Sequence, residues 1–315
     1  MLHLKTYMIE TVIETEMPVN ETFFIKKNRI KNGTSNKRFS LITGIHGDEL
    51  EGQYCAYLLQ KYLNENIELL DGIIDIYPGV NPLGIDSITR GIPAFDLDMN
   101  RIFPGSEKGD MIEFALSKLV ADIEGSTVAM DIHASNIYLT EVPQIRINEK
   151  SKEVLLPLAL KSNVDFIWVH SNATVLEATL AYTLNSRATP TLVVEMGVGM
   201  RITKEYSEQL VSGIFSILKK IGIWKGEVAE PRVPIVSNNP EEVIFLNSPC
   251  AGIFIKRRNH GDYLNEGDII GEIINPLEGT LVEEIKAPAK GWLFTIREYP
   301  VVDTGSLMAR ILREE

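Results

Sequence analysis

The stretch RFSLITGIHGDELEGQYCAYLLQKYLNEN, residues 38–66, passes from one kind of local order to another. RFSLITGI is short, apolar and closed by a turn, the pattern of a strand buried on both faces. DELEGQYCAYLLQKYLNEN, which follows, has helical spacing, with Asp48 placed to cap the first free N–H groups of the helix. A strand feeding a helix is the unit from which parallel sheets are built, so these residues predict an α/β fold. They also set an imidazole, His46, and a carboxylate, Glu49, at the mouth of the buried strand.

The alternation continues along the chain. GIIDIYPGVNP reads as a strand ending in turn residues, MIEFALSKLVADIEG as a helix with a glycine stop, and STVAMDIHAS as an apolar strand ending at a polar cluster. DFIWVHS, TVLEATLAYTLNSR and TPTLVVEMG predict strand, helix and strand, and KEYSEQLVSGIFSILKKIG a closing helix. Residues 1–225 are therefore expected to form one α/β domain around a mostly parallel or mixed sheet.

From residue 226 the texture changes. GEVAEPRVPIVSNNPEEV reads as a linker and an edge strand, and residues 226–315 as a smaller all-β domain of short apolar runs between glycine turns. It contains an internal echo. Pro249 and Gly252 match Pro288 and Gly291, and Gly267 and Ile273 match Gly305 and Ile311. The layout resembles the barrel-sandwich hybrid of lipoyl and biotinyl domains. Those carriers hold a lysine at the hairpin between their halves; here the hairpin reads INPLEGTL, so a structural role is expected rather than a covalent cofactor.

Composition sets outer limits. A chain of 315 residues with 23% charged residues and no long uncharged apolar run predicts a globular protein without a membrane partner. A net charge of −12 argues against nucleic acid, which needs clustered Lys and Arg. Two cysteines, Cys55 and Cys250, cannot build a disulfide framework and are expected to be small buried hydrophobes. The first residues lack a signal-peptide core, so the expected location is cytoplasmic.

The polar residues at strand ends point to chemistry. His46 and Glu49, three residues apart, can converge on one ion, or can serve as a hydrogen-bonded histidine beside a capping carboxylate. His133 ends the strand STVAMDIH, and functional sites in α/β sheets gather beyond the carboxyl ends of strands. Two histidines and one glutamate make the ligand set of hydrolytic zinc sites, and imidazole favours zinc over magnesium or calcium. Asp131 is a candidate to orient His133 if the chain bends there. Glu195 follows four apolar residues in TLVVEMG; it is either a general base with a raised pKa or a salt-bridged structural acid. Arg90 and Arg101, the latter beside Asn100, can clamp a carboxylate or hold an oxyanion. His170 can line the pocket or be structural. His260 is expected to be solvated and His3 irrelevant; Arg146 is expected to make a surface ion pair, with a substrate contact as the alternative.

Taken in order, GIHGDE (44–49), NP (81–82), Arg90, DMNRIF (98–103), DIH (131–133) and VVEMG (193–197) resemble the pattern of the succinylglutamate desuccinylase/aspartoacylase family, a branch of the zinc carboxypeptidase superfamily. The resemblance covers roughly residues 40–220 and implies a carboxypeptidase-like mixed sheet flanked by helices. It implies one zinc per chain on His46, Glu49 and His133, with Glu195 as general base. Asn100 and Arg101 would bind the substrate carboxylate, and Arg90 would polarise the scissile carbonyl. Aspartoacylase carries an arginine ten residues before its catalytic glutamate; that position is Asn185 here, with Tyr182 and Arg187 nearby. The expected substrate is therefore a small N-acylated amino acid or related amide other than N-acetylaspartate, with Asn185 and Tyr182 beside it. A peptide-cleaving carboxypeptidase and a binding protein without catalysis are the alternatives. Homo-oligomerisation is an expectation by family analogy.

Overall fold

The computed structural model describes residues 7–93, 95, 97–170 and 177–314. The chain begins with a hairpin of β1 (Tyr7–Glu16) and β2 (Thr22–Asn32), followed by β3 (Arg38–Thr43) and helix α1 (Glu51–Glu65). Next come β4 (Gly72–Tyr77), α2 (Pro82–Ser87), α3 (Met111–Ile123), β5 (Val128–His133) and β6 (Leu139–Asn148). Then follow α4 (Lys152–Ala159), β7 (Phe166–His170), α5 (Leu180–Ser186), β8 (Thr191–Gly197) and α6 (Lys204–Lys220).

Strands β4, β3, β5 and β8 lie side by side and parallel, as strands joined by helical crossovers must. β2 joins antiparallel to β4, and β6 antiparallel to β8, so the sheet is mixed. Helices cover both faces. Leu59 and Leu63 of α1, Leu155 of α4 and Ile214 of α6 share one core; Leu116 and Leu119 of α3 and Leu180 and Leu184 of α5 share the other. This double cover explains why the central strands read as unbroken apolar runs. No helix among the described residues is long and apolar enough to cross a membrane.

The C-terminal strands are β9 (Ile235–Ser237), β10 (Val243–Asn247), β11 (Gly252–Lys256), β12 (Tyr263–Leu264), β13 (Ile269–Asn275), β14 (Thr280–Lys286), β15 (Gly291–Arg297), β16 (Val301–Val302) and β17 (Leu307–Arg313). A four-stranded sheet, in the order β14-β13-β11-β16, shares a core with the layer made by β12, β15, β17 and β10. The internal echo is structural. Gly252 and Gly291 open β11 and β15, Gly267 and Gly305 make turns at φ +85° and +86°, and Ile273 and Ile311 are both fully buried in that core. β15 also pairs with β6, so one layer of the tail continues the main sheet.

Three local expectations are corrected. Asp48 does not cap α1: the helix starts later, at Glu51, behind Leu50, and no side chain caps it. The helix expected over 174–187 begins only at Leu180, because Thr179 accepts a hydrogen bond from the Tyr182 N–H and so starts it there. Residues 174–176 of that expectation, and His3, lie outside the described residues. Cys55 is fully buried, but Cys250 is only partly so, at the margin of the tail core.

Candidate active site

β3 stops at Thr43, and the loop to α1 carries His46 and Glu49 into the sheet's C-terminal crevice. Gly47 is required there by closeness, since a Cβ on it would stand 2.0 Å from the Gly84 carbonyl carbon of α2. His133 closes β5, the neighbouring strand, and stands in register with Glu195 on β8.

These side chains converge. His46 Nδ1 lies 2.7 Å from Glu49 Oε1, His133 Nδ1 lies 2.9 Å from Glu49 Oε2, and the two Nδ1 atoms are 3.3 Å apart. All three residues are buried, and one ligand atom from each falls within 4.8 Å of the others. Each ring's far nitrogen meets an aspartate: His46 Nε2 is 3.1 Å from Asp98, and His133 Nε2 is 3.0 Å from Asp131. Both aspartates favour the tautomer with hydrogen on Nε2, which turns the Nδ1 lone pairs toward the shared point. No bend is needed for Asp131 to do so: it shares a face of the regular strand β5 with His133, and the ring reaches back along it.

The electrostatics ask for a cation. Burial pushes the Glu49 carboxyl up, but the His46 charge and hydrogen bonds from both histidines outweigh it and hold it well below the usual range. Burial lowers both imidazoles, yet Glu49 and Asp98 raise His46, and Asp131 and Glu49 raise His133 well above its ordinary value. Three carboxylates thus compete to place positive charge between two rings. A dication at the meeting point of two imidazole nitrogens and one carboxylate answers that demand, and this donor set fits zinc with a coordination position left open.

A cavity of about 600 Å³, within the range of small-molecule sites, opens in front of the cluster. Glu195 lines it; burial raises its pKa against the opposing pull of Arg146 and His133. Arg90 lines it with Nη1 at 2.9 Å from Glu49 and Nε at 3.2 Å from Asp98. Asn100 is buried and uses its side-chain oxygen to accept the Leu180 N–H at 3.0 Å. Arg101 is exposed at the rim, bonds only its neighbour's carbonyl, and has no carboxylate partner among the described residues.

Tyr182 and Asn185 also line the cavity. The Asn185 amide is engaged at both ends, accepting the Thr191 N–H at 2.9 Å and donating to the Thr191 carbonyl at 3.0 Å, which anchors the start of β8. His170 is in the wall, where burial and the Arg146 charge lower its pKa. Arg187 pairs with Glu124 and does not line the cavity.

Arg146 is a correction. It lines the cavity and binds Glu195 at 3.2 Å and the fully buried Glu141 at 2.9 Å, instead of making a surface pair. A single charge in the alternating strand PQIRI gave no local sign of this. Asp98 is a residue the sequence reading passed over, although it opens DMNRIF; its partner is 52 positions away. His260 is a second correction: it is half-buried and hydrogen-bonded to the Tyr206 hydroxyl of α6, not solvated.

Comparison with known proteins identifies the family. Residues 35–221 match the succinylglutamate desuccinylase/aspartoacylase catalytic domain, well over half of the chain, and the protein belongs to that family of hydrolases. A search of curated protein sequences gives no match. Among solved structures, a succinylglutamate desuccinylase from Silicibacter sp. superposes with a TM-score of 0.82 at 21% identity, covering 100% of this chain and 97% of that one. The product-bound ectoine utilization protein of Ruegeria pomeroyi gives 0.81 at 19%, covering 98% and 95%. A metallo-carboxypeptidase from Burkholderia cenocepacia gives 0.53 at 14%, covering 69% and 64%, a likeness of fold.

Proposed function

We propose that this member of the succinylglutamate desuccinylase/aspartoacylase family is a zinc-dependent deacylase that hydrolyses the amide bond of a small N-acylated amino acid. The observation that carries the reading is the convergence of His46 Nδ1, His133 Nδ1 and the Glu49 carboxylate at one buried point, with Glu195 in register beside it. When bound there, zinc would act as Lewis acid and bring the pKa of water from about 15.7 to about 7, worth roughly 12 kcal/mol.

The chain's own residues supply the rest. Glu195 takes the proton of the attacking water and delivers it to the leaving amide nitrogen, a task suited to a carboxylate whose pKa is raised. Arg90, braced by Glu49 and Asp98, sets positive charge where the carbonyl oxygen becomes an oxyanion. Arg101 and the Asn100 amide hold the substrate carboxylate, converting binding into orientation. The substrate side chain is not acidic on this reading: Asn185 brings no charge and is occupied by Thr191, and Arg146 is matched by Glu141 and Glu195.

A panel of N-acyl amino acids and short peptides, assayed with zinc, with chelator, and with zinc restored, tests this. Cleavage of neutral N-acyl amino acids faster than of N-acetylaspartate, lost with chelator and regained with zinc, is expected. Release of C-terminal residues from peptides with no cleavage of acyl amino acids would sink the reading in favour of a carboxypeptidase.

A further inference from the structure

The wall of the cavity on the β6 side holds a second group of charges that the scheme above leaves without a task. Glu141 has no exposed side-chain surface, yet it carries a carboxylate. Three groups surround it: Arg146 from its own strand at 3.1 and 2.9 Å, the Thr295 hydroxyl of β15 at 3.1 Å, and the Arg310 guanidinium of β17. Two of the three come from the C-terminal β unit. The ladders put them there, since Thr295 faces Glu141 across β15 and β6 and faces Arg310 across β15 and β17. The Arg310 guanidinium is also seated over the Phe245 ring at 5.5 Å, which fixes it from behind.

A bulge makes the connection to the active site. Residues 141 and 146 differ by an odd number and should point to opposite faces of β6. Between Glu141 and Gln144, however, three steps on β6 oppose two steps between Gly197 and Glu195 on β8. The extra residue returns Arg146 to the face of Glu141, the re-aiming that a bulge performs. One edge of the guanidinium then grips Glu141 while Nη1 reaches Glu195 at 3.2 Å.

We propose that the C-terminal β unit is a working part of the hydrolase: Arg310 and Thr295 fix Glu141, Glu141 fixes Arg146, and Arg146 holds the Glu195 carboxylate in the orientation that proton transfer needs. The proposal rests on the reading of Glu195 as the base. Arg310, Glu141 and Arg146 are positioning residues, acting through Glu195. A bare Arg146 would be free to turn both N–H edges to Glu195 and draw its carboxylate away from the water. Glu141 restrains it by occupying one edge, and the tail restrains Glu141.

The full-length, zinc-loaded Glu141→Gln variant tests this, because Glu141 does not line the cavity and cannot touch substrate. On the fastest substrate of the N-acyl amino acid panel, kcat is expected to fall tenfold or more, with KM changed by less than threefold and zinc content retained. Added to Glu195→Gln, the same substitution should cause no further loss, because both act through one group. A crystal structure of Glu141→Gln should show the Glu195 carboxylate displaced from its place beside Arg146, a readout that needs no substrate. Thr295→Val, which also lies off the cavity, is the second variant should Glu141→Gln fail to fold, with the same readouts and a smaller loss. Unchanged kcat with Glu195 in place, or losses that multiply in the double variant, would overturn the proposal. A fully active Glu195→Gln single variant is a separate result, which removes the base assignment instead.

Discussion

Glu195 keeps only 17% of its side chain exposed and stands in register with His133 of the His46, Glu49 and His133 cluster. Burial raises its pKa, and the charges of Arg146 and His133 restrain the rise. Glu195→Gln keeps the shape and removes the carboxylate. Metal analysis should find zinc retained, and turnover should drop by about a hundredfold or more, the low end for loss of general acid–base catalysis. An active variant would assign the proton to another group. His46, His133 and Glu195 were legible in the sequence because each is a polar residue at the end of an apolar run, where burial without a task is costly, and Glu49 because it stands three residues from His46. Asp98 and Arg146 lack that signature. Asp98 acts through a ring 52 positions away, and Arg146 depends on a bulge that no local pattern announces. Asp48 misled in the opposite sense, being a good capping residue where the helix starts two residues later, behind Leu50.

At the scale of elements, the strands and helices of the central α/β layer could be read because each carries its own periodicity. The joints between them could not, since they are made by single side chains. Asp71, just before β4, is one such joint. Its carboxylate accepts the Thr34 and Ser35 N–H groups at 2.9 and 3.1 Å, closing the turn from β2 to β3, and pairs with Lys225 beyond α6 at 3.0 Å. Gly33, at φ +74°, serves the same joint, because a Cβ there would stand 2.2 Å from the Asp71 carboxylate. The Lys225 contact and then the two N–H donors lower the Asp71 pKa to about 2. A carboxyl lowered on folding adds stability above its unfolded value, lost as the pH falls through its folded one. The urea midpoint of wild type should therefore exceed that of Asp71→Asn at pH 6, and roughly half of the gap should be closed by pH 3. A gap that stays constant with pH would mean that the charge is irrelevant and only the hydrogen bonds matter.

Across the whole molecule, the change of texture at residue 226 marks a change of architecture without marking a gap. β15 continues the main sheet from β6, and β9 pairs with β7. Val142 and Phe166 of the α/β layer share one core with Val243, Trp292, Phe294 and Leu312 of the tail. The repeat in the tail was visible because glycines and prolines recur at matching places, but its docking was not, because the strand partners, such as Thr295 and Glu141, lie far apart in sequence. A shared ladder and a shared core bind the two parts into one cooperative unit, so scanning calorimetry should show a single unfolding transition. The cluster of His46, Glu49 and His133 gives the lever to check it, on the proposed zinc site. Zinc at a hundredfold excess over its dissociation constant adds about 2.7 kcal/mol to the folded state. With an unfolding entropy of about 2.1 cal/mol/K per residue, that should move the whole transition up by about 4 °C. Two transitions, only one of them responsive to zinc, would show that the tail unfolds alone and that its ties to β6 and β7 are weaker than the shared core implies. No response to zinc at all would count against the metal site itself.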